Sequence, residues 1–288
     1  MKSGFVSIFG KPNAGKSTLL NALMGEKLAI VSPKVQTTRH RIKGILTDEN
    51  YQVIFSDTPG IIEPKYKLHE KMMEAVKSSL EDADVALLIV DIKDDLQEAN
   101  EVFSKLFLKV PALVVLNKCD VADKETIEKA VAFFSDKKYC KKVFEISALK
   151  NTGVKELLNE IVSMLPEGEP FYMDDNLSDL PMKFFVGEMI REKIFYLFSE
   201  EIPYSATVLV QEFKEKTTLT KISADIIVQR ETQKGIILGH EGKMIKQLGT
   251  MARKDIEEFI GRKVFLELFV KVRPKWRDNE IHLREYGY

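Results

Sequence analysis

Residues 10–17 read Gly-Lys-Pro-Asn-Ala-Gly-Lys-Ser. A strand-forming run (Phe5 to Phe9) leads into this string and a helix-forming run (Ser17 to Leu23) leaves it. That strand–loop–helix context is what turns a glycine-bearing turn into a phosphate cradle. Gly10 and Gly15 let the backbone wrap so that successive N–H groups face one anion, with Lys11, Pro12, Asn13 and Ala14 forming the arc. The helix N-terminus adds partial positive charge, Lys16 adds a full one, the Ser17 hydroxyl can ligate magnesium, and Thr18 follows on the first turn. The string therefore predicts an α/β fold carrying its ligand at the C-terminal end of a strand, and the ligand is a nucleoside triphosphate.

Three further strings stand at the ends of predicted strands. Tyr51 to Ser56 delivers Asp57-Thr58-Pro59-Gly60, where an aspartate can hold magnesium through water and a glycine N–H can meet the γ-phosphate. The apolar run Ala112 to Leu116 ends in Asn117-Lys118-Cys119-Asp120. A carboxylate at Asp120 can accept from both N1–H and the exocyclic amine of guanine, a donor pair that adenine lacks, so it selects GTP over ATP. Lys118 can lie along the base plane, and Val143 to Ile146 leads into Ser147-Ala148-Leu149-Lys150, whose backbone can meet guanine O6. A polar stretch between Glu26 and Lys43 holds Gln36-Thr37-Thr38-Arg39.

Together these resemble the five signature segments of the translation-factor class of P-loop GTPases. The resemblance implies that a threonine of the polar stretch is the second protein ligand of magnesium, Thr38 in preference to Thr37, and that it reports the γ-phosphate to the rest of the molecule. The residue after Gly60 is Ile61, where signalling GTPases carry a glutamine that orients the attacking water. Hydrolysis should be slow without further assistance. Asn13 is a candidate for holding a potassium ion that assists it, alongside Lys16, Thr38 and Gly60 as the residues nearest the chemistry.

Strands are expected near 4–9, 42–47, 51–57, 84–91, 111–116 and 142–147, and helices near 16–24, 68–80, 95–107, 124–135 and 153–164. This is a mostly parallel, doubly wound sheet. The first domain is expected over 1–165, closing before Pro166, and the acidic, aperiodic stretch 166–180 reads as a linker. The remainder, 181–288, reads as a helix (Met182–Phe198), two alternating strands (Ala206–Lys214, Leu219–Gln229), a helix pair around a glycine turn, and a strand (Val264–Val272). That α-β-β-α-α-β order fits a type II KH domain, an α+β fold. Its key string runs from Ile236 to Ile245, with apolar residues around Gly239-His240-Glu241-Gly242. Such a turn lets backbone N–H groups approach a nucleic-acid backbone. Candidate RNA contacts are Ile237, Gly239, His240, Glu241, Gly242, Lys243, Ile245 and Lys246, although Glu241 should repel phosphate.

The formal net charge of −1 hides an uneven distribution: residues 166–215 hold 11 acidic and 4 basic residues, residues 216–288 hold 15 basic and 10 acidic. The surplus of 5 in the last segment is what a phosphate backbone responds to. No apolar run approaches a membrane span, and Cys119 and Cys140 form neither a disulfide framework nor a zinc site.

End to end, the chain resembles the bacterial Era GTPases: the GTPase–KH pair, Gln36-Thr37-Thr38-Arg39-His40-Arg41, Ile190-Arg191-Glu192-Lys193, and the run Leu266 to Val272 followed by Trp276 all fit. Ala14 is a departure, since relatives usually carry valine there. The resemblance implies a magnesium-dependent, slow GTPase that binds the 3′ end of 16S ribosomal RNA and assists 30S subunit assembly. It also implies a cytoplasmic monomer with weak peripheral association at the inner face of the membrane. Two alternatives stand beside it: an RNA-modification GTPase, and a constitutive RNA-binding scaffold with a structural nucleotide.

Overall fold

The computed structural model of the chain describes residues 1–173 and 176–288; Asp174 and Asp175, inside the expected linker, lie outside the described residues. The chain divides into two compact units, one of residues 1–64 and 71–179, the other of residues 65–70 and 180–288.

The first unit is built on six strands: β1 (Lys2–Gly10), β2 (Ile42–Thr47), β3 (Tyr51–Asp57), β4 (Val85–Asp91), β5 (Ala112–Asn117) and β6 (Cys140–Glu145). Their order is β2-β3-β1-β4-β5-β6, and only the β2–β3 pair is antiparallel. The central strands are apolar along their length because both faces are covered, and every residue of β5 is buried. Helices α1 (Lys16–Met24) and α5 (Val154–Met164) pack together beside β1. The other face is covered by α2 (Lys67–Asp82), α3 (Leu96–Ser104) and α4 (Lys124–Ser135), where Val76, Phe103 and Phe134 meet Phe9, Leu88 and Val114. Because β1, β3, β4 and β5 run parallel, their C-terminal ends open on one edge, and all the nucleotide strings lie there.

Two boundaries differ from the sequence expectation for local reasons. Helix α3 stops at Ser104 rather than running to 107, because Lys105 caps it and Phe107 adopts a left-handed φ of 48°. Strand β6 starts at Cys140, opposite Ala112, and ends at Glu145; Ser147 instead forms an isolated bridge with Thr152.

The stretch expected as a linker is held to the first unit. The Gln52 side chain accepts from the backbone N–H groups of Phe171 and Tyr172 at 2.7 and 2.9 Å. Ile45 N–H donates to the Leu177 carbonyl at 2.9 Å, and Lys43 pairs with Asp179 at 2.7 Å. An acidic segment without periodicity can thus be tied down by a strand edge, which composition does not reveal.

The second unit contains α6 (Met182–Leu197), α7 (Ile202–Ser205), β7 (Thr207–Glu215), β8 (Thr220–Val228), α8 (Glu231–Leu238), α9 (Lys243–Ile260), β9 (Val264–Val272) and α10 (Glu280–Glu285). Its sheet has the order β7-β8-β9, antiparallel then parallel. Ile222, Ala224, Ile226 and Val228 of β8 pack against Ile190, Ile237, Leu248 and Ile256 of α6, α8 and α9. The short helices α7 and α10 lie outside the sequence expectation; α10 is started by Asn279, whose side chain accepts from the N–H groups of Ile281 and His282. Trp276, the chain's one tryptophan, is fully buried and donates from Nε1 to the Ser205 carbonyl at 2.9 Å.

Ile256 is fully buried in this core, so Ile256→Ala removes packed methyl groups and leaves a cavity. The expected cost is about 2–5 kcal/mol, read as an earlier urea transition in the fluorescence of Trp276.

Candidate functional site

The nucleotide strings converge through a few specific contacts. Gly15 takes φ +97°, and a Cβ there would lie 2.2 Å from the Asn117 amide nitrogen, so only glycine fits. Asn117 uses the space that this glycine leaves. Its amide donates to the Ala14 carbonyl at 2.9 Å while its oxygen accepts from Ala148 N–H at 3.0 Å. One buried side chain thereby joins the phosphate loop to the 147–149 segment.

Gly60 approaches the loop equally closely, because a Cβ there would stand 2.7 Å from Pro12. Thr58 donates from its hydroxyl to the Ile8 carbonyl at 2.7 Å, and Ile61 N–H donates to the Gly10 carbonyl at 3.1 Å. The 57–61 string is thus laid flush on residues 8–12, with Pro59 buried among them. The Ile61 side chain packs toward the apolar core and presents no hydrogen-bonding group.

Three side chains that are far apart in sequence meet at the loop. Ser17 Oγ donates to Asp57 Oδ2 at 2.6 Å and lies 2.8 Å from Thr38 Oγ1, which reaches the same carboxylate oxygen at 3.5 Å. Thr37 turns elsewhere: its hydroxyl donates to the Lys34 carbonyl at 2.7 Å and lies 2.9 Å from Ser32 Oγ. Asp57 is fully buried, and its second oxygen, Oδ1, has no hydrogen-bond partner.

Lys16 is also buried, its ammonium donating to the carbonyls of Gly10 and Lys11 at 3.1 and 2.8 Å. Burial brings Lys16 down to about 8, partly offset by the Asp57 carboxylate. Burial likewise pushes Asp57 up to about 6 against the pull of the Ser17 hydroxyl and the Lys16 ammonium. Both shifts say that this pocket is short of ligand charge, which a polyphosphate with a divalent cation would supply.

At the base end, Cys119 N–H donates to the Ile146 carbonyl at 3.1 Å and brings the turn after β5 against Ser147. Ser147 exchanges two backbone hydrogen bonds with Thr152, which fixes the loop that presents Ala148 and the 77% exposed Leu149. Asp120 is exposed beside them. Lys118 has φ 65°, and its ammonium donates to the Asn13 carbonyl at 2.9 Å. Asn13 is itself left-handed (φ 63°), and its side-chain amide donates to the Pro33 carbonyl at 2.8 Å. Among the described residues, no cluster of three or more His, Cys, Asp or Glu could hold a metal ion; the hydroxyl–carboxylate set at Ser17, Thr38 and Asp57 is of another kind.

In the second unit, Gly239 takes φ +70° and a Cβ there would strike Met244 at 2.5 Å, while Gly242 takes φ +73° with open space around it. The first glycine is needed for close packing and the second for backbone direction and access. His240 and Glu241 project into solvent, and the Glu241 carboxylate lies 3.4 Å from the Lys243 ammonium. The phosphate repulsion expected of Glu241 is therefore partly offset by its own neighbour. Beside this turn runs a groove of about 340 Å³ between α9 and β9, lined by Ile245, Lys246, Gly249, Thr250 and Arg253 of the helix and Phe265, Leu266 and Leu268 of the strand. Ile237 needs correction: it is fully buried in the core and cannot contact RNA, whereas its neighbour Ile236 is half exposed. Phe265, Leu266 and Leu268 lie outside the candidate contacts named from sequence, since only the placement of β9 beside α9 brings them to the groove.

Comparison with known proteins agrees with this arrangement. A family model described as 50S ribosome-binding GTPase matches residues 5–118, and a KH domain model matches residues 201–277. The GTPase Era of Caldanaerobacter subterraneus subsp. tengcongensis is 46% identical over 300 residues, covering 100% of this chain and 98% of the relative. That of Geotalea uraniireducens is 45% identical over 292 residues, with the same coverage. A crystal structure of Era in complex with MgGDPNP and nucleotides 1506–1542 of 16S ribosomal RNA superposes with a TM-score of 0.96 at 41% identity, covering 100% of this chain and 99% of that one. An Era variant from Aquifex aeolicus bound to GDP·AlF4− gives a TM-score of 0.96 at 40% identity, with the same coverage. With sequence identity of this size over its whole length, the chain belongs to the Era family of GTPases.

Proposed function

We propose that this protein is a GTP-hydrolysing switch that binds the 3′ end of small-subunit ribosomal RNA through its KH unit and assists 30S assembly. The observation that carries the nucleotide half is the meeting of Ser17, Thr38 and Asp57 around a buried carboxylate oxygen with no partner. Two hydroxyls and an unsatisfied carboxylate suit magnesium, a hard cation that takes oxygen ligands and keeps several of its waters. Ser17 and Thr38 would hold it directly and Asp57 through water; when bound it neutralises charge on the β- and γ-phosphates.

The rest of the site follows from the chain's own groups. The N–H groups of residues 13–18 cradle the phosphates, and Lys16 neutralises the outer ones once it exchanges the Gly10 and Lys11 carbonyls for phosphate oxygens. Gly60, lying against Pro12, brings its N–H to the γ-phosphate. Asp120 accepts from the guanine edge, the 147–149 segment presents its backbone to O6, and Lys118 lies along the base. Thr38 belongs to the segment that must order when the γ-phosphate is present, so the nucleotide state reaches the protein surface through residues 32–41.

Ile61 leaves the attacking water without a side-chain partner, which makes intrinsic turnover slow. Asn13 and the Pro33 carbonyl, one hydrogen bond apart, would together offer oxygen ligands to potassium beside the phosphates. Turnover in potassium buffer should exceed that in sodium by tenfold or so, and Asn13→Ala should abolish the difference. Equal rates of the unaltered protein in the two buffers would remove potassium from the mechanism.

For RNA, the Gly239–Gly242 turn offers backbone amides to phosphates, and the groove beside it offers Ile245, Leu266 and Leu268 to unpaired bases and Lys246 and Arg253 to the backbone. The related Era in complex with nucleotides 1506–1542 of 16S ribosomal RNA supports this choice of RNA. No described helix is long and apolar enough to cross a membrane. We place the protein in the cytoplasm as a monomer, with peripheral association at the inner face of the membrane as a secondary property.

Crosslinking in the GDP and GTP-analogue states, followed by sequencing of the captured RNA, tests the switch. Capture of the small-subunit 3′ end predominantly with the analogue is the expected result, and Lys246→Glu with Arg253→Glu should weaken it at least tenfold. Equal capture in both states would favour a constitutive scaffold, and predominant capture of transfer RNA would favour an RNA-modification enzyme.

A further inference from the structure

Asp91, the last residue of β4, belongs to none of the nucleotide strings, yet its carboxylate Oδ2 lies 2.6 Å from the Lys118 ammonium. The Asp91 side chain is only 16% exposed and that of Lys118 is 39% exposed, so solvent screens the pair less than it screens a surface pair. Strand register explains the meeting. Asp91 and Asn117 are Cα partners at the ends of β4 and β5, so the residue after Asn117 emerges beside Asp91. Lys118 then takes a left-handed φ of 65°, an uncommon conformation for a side-chain-bearing residue, which persists only where surrounding contacts hold it. The ammonium has two partners in the structure: Asp91 and, at 2.9 Å, the Asn13 carbonyl of the phosphate loop. Asp91 is fixed in turn, with Oδ1 accepting from Lys93 N–H at 3.0 Å.

We infer that Asp91 is a positioning residue for guanine-nucleotide retention: it anchors the Lys118 ammonium over the Asn13 carbonyl and so holds the lysine stem where the base must lie. The inference rests on the nucleotide reading above but concerns a residue outside its strings. Without Asp91 the ammonium keeps only a neutral carbonyl acceptor, and a flexible four-carbon stem regains rotamers that binding must then freeze. The loss should appear mainly as faster dissociation, since a preorganised contact governs how long a ligand stays more than how fast it arrives.

The test uses the full-length protein and a fluorescent GDP analogue, following dissociation by stopped flow. Asp91→Asn should raise the dissociation rate about tenfold, and Asp91→Glu, which keeps the charge, should restore most of the retention. In a double-mutant cycle with Lys118→Met, the second substitution should add little once the first is present. Glu160→Gln, which breaks the surface Lys142–Glu160 pair of the same unit, serves as the control and should leave dissociation unchanged. Unchanged dissociation in Asp91→Asn would overturn the inference, as would additive effects of Asp91→Asn and Lys118→Met. If instead the unaltered protein fails to bind the GDP analogue, the nucleotide reading itself fails, and that result is distinct from either.

Discussion

Two buried charges of opposite sign, felt by each other through the pocket, govern the first unit. Lys16 and Asp57 are both nearly sealed from water, and each is displaced toward its neutral form by burial. Such a pair is expensive to maintain unless something further is bound to it. The expense is tolerated because the elements that create it are rigid. Lys16 opens a helix whose preceding glycine cannot be replaced, and Asp57 ends a strand that is buried almost throughout. Ser17 and Thr38 take up one carboxylate oxygen and leave the other without a partner. A phosphate chain with a divalent cation supplies what both charges lack.

Everything else in the site is arranged to bring segments to that pair. The buried Asn117 amide joins the phosphate loop to the 147–149 segment, Gly60 lets the 57–61 string lie on Pro12, and Asp91 with Lys118 ties the base end to Asn13. Asn13 in turn reaches Pro33 in the segment that carries Thr38. Contacts between neighbouring segments therefore run from the base end to the switch segment. A change in the phosphate end has a structural route to residues 32–41, where Thr37, Thr38 and Arg39 are buried and the residues around them are half-buried or exposed.

Much of this was legible in the sequence because the chemistry is local to short strings whose strand contexts are themselves strongly patterned. The glycine turn of the KH unit was likewise readable from its flanking apolar residues, while family resemblance pointed to Thr38, a residue the structure brings beside Ser17 and Asp57. What escaped was whatever depended on register or packing. Ile237 and Ile236 are adjacent and equally apolar, and only the way α8 docks on the sheet buries the first and exposes the second. Asp91 becomes a partner of Lys118 only through the pairing of β4 with β5. The acidic stretch after Pro166 looked like free linker, yet Gln52, Ile45 and Lys43 hold it along the sheet edge.

The electrostatic account is tested most directly by the protons exchanged when Mg·GTP binds. This is measured by titration calorimetry in buffers of different ionisation enthalpy. Near pH 8 the ligand-free Lys16 is about half deprotonated, and phosphate should raise its affinity for a proton, so binding should take protons up. Near pH 6 Asp57 is about half protonated, and a nearby divalent cation should lower its affinity, so binding should release them. The account predicts a change of sign between the two conditions. Proton exchange of one sign at both, or none at either, would contradict it.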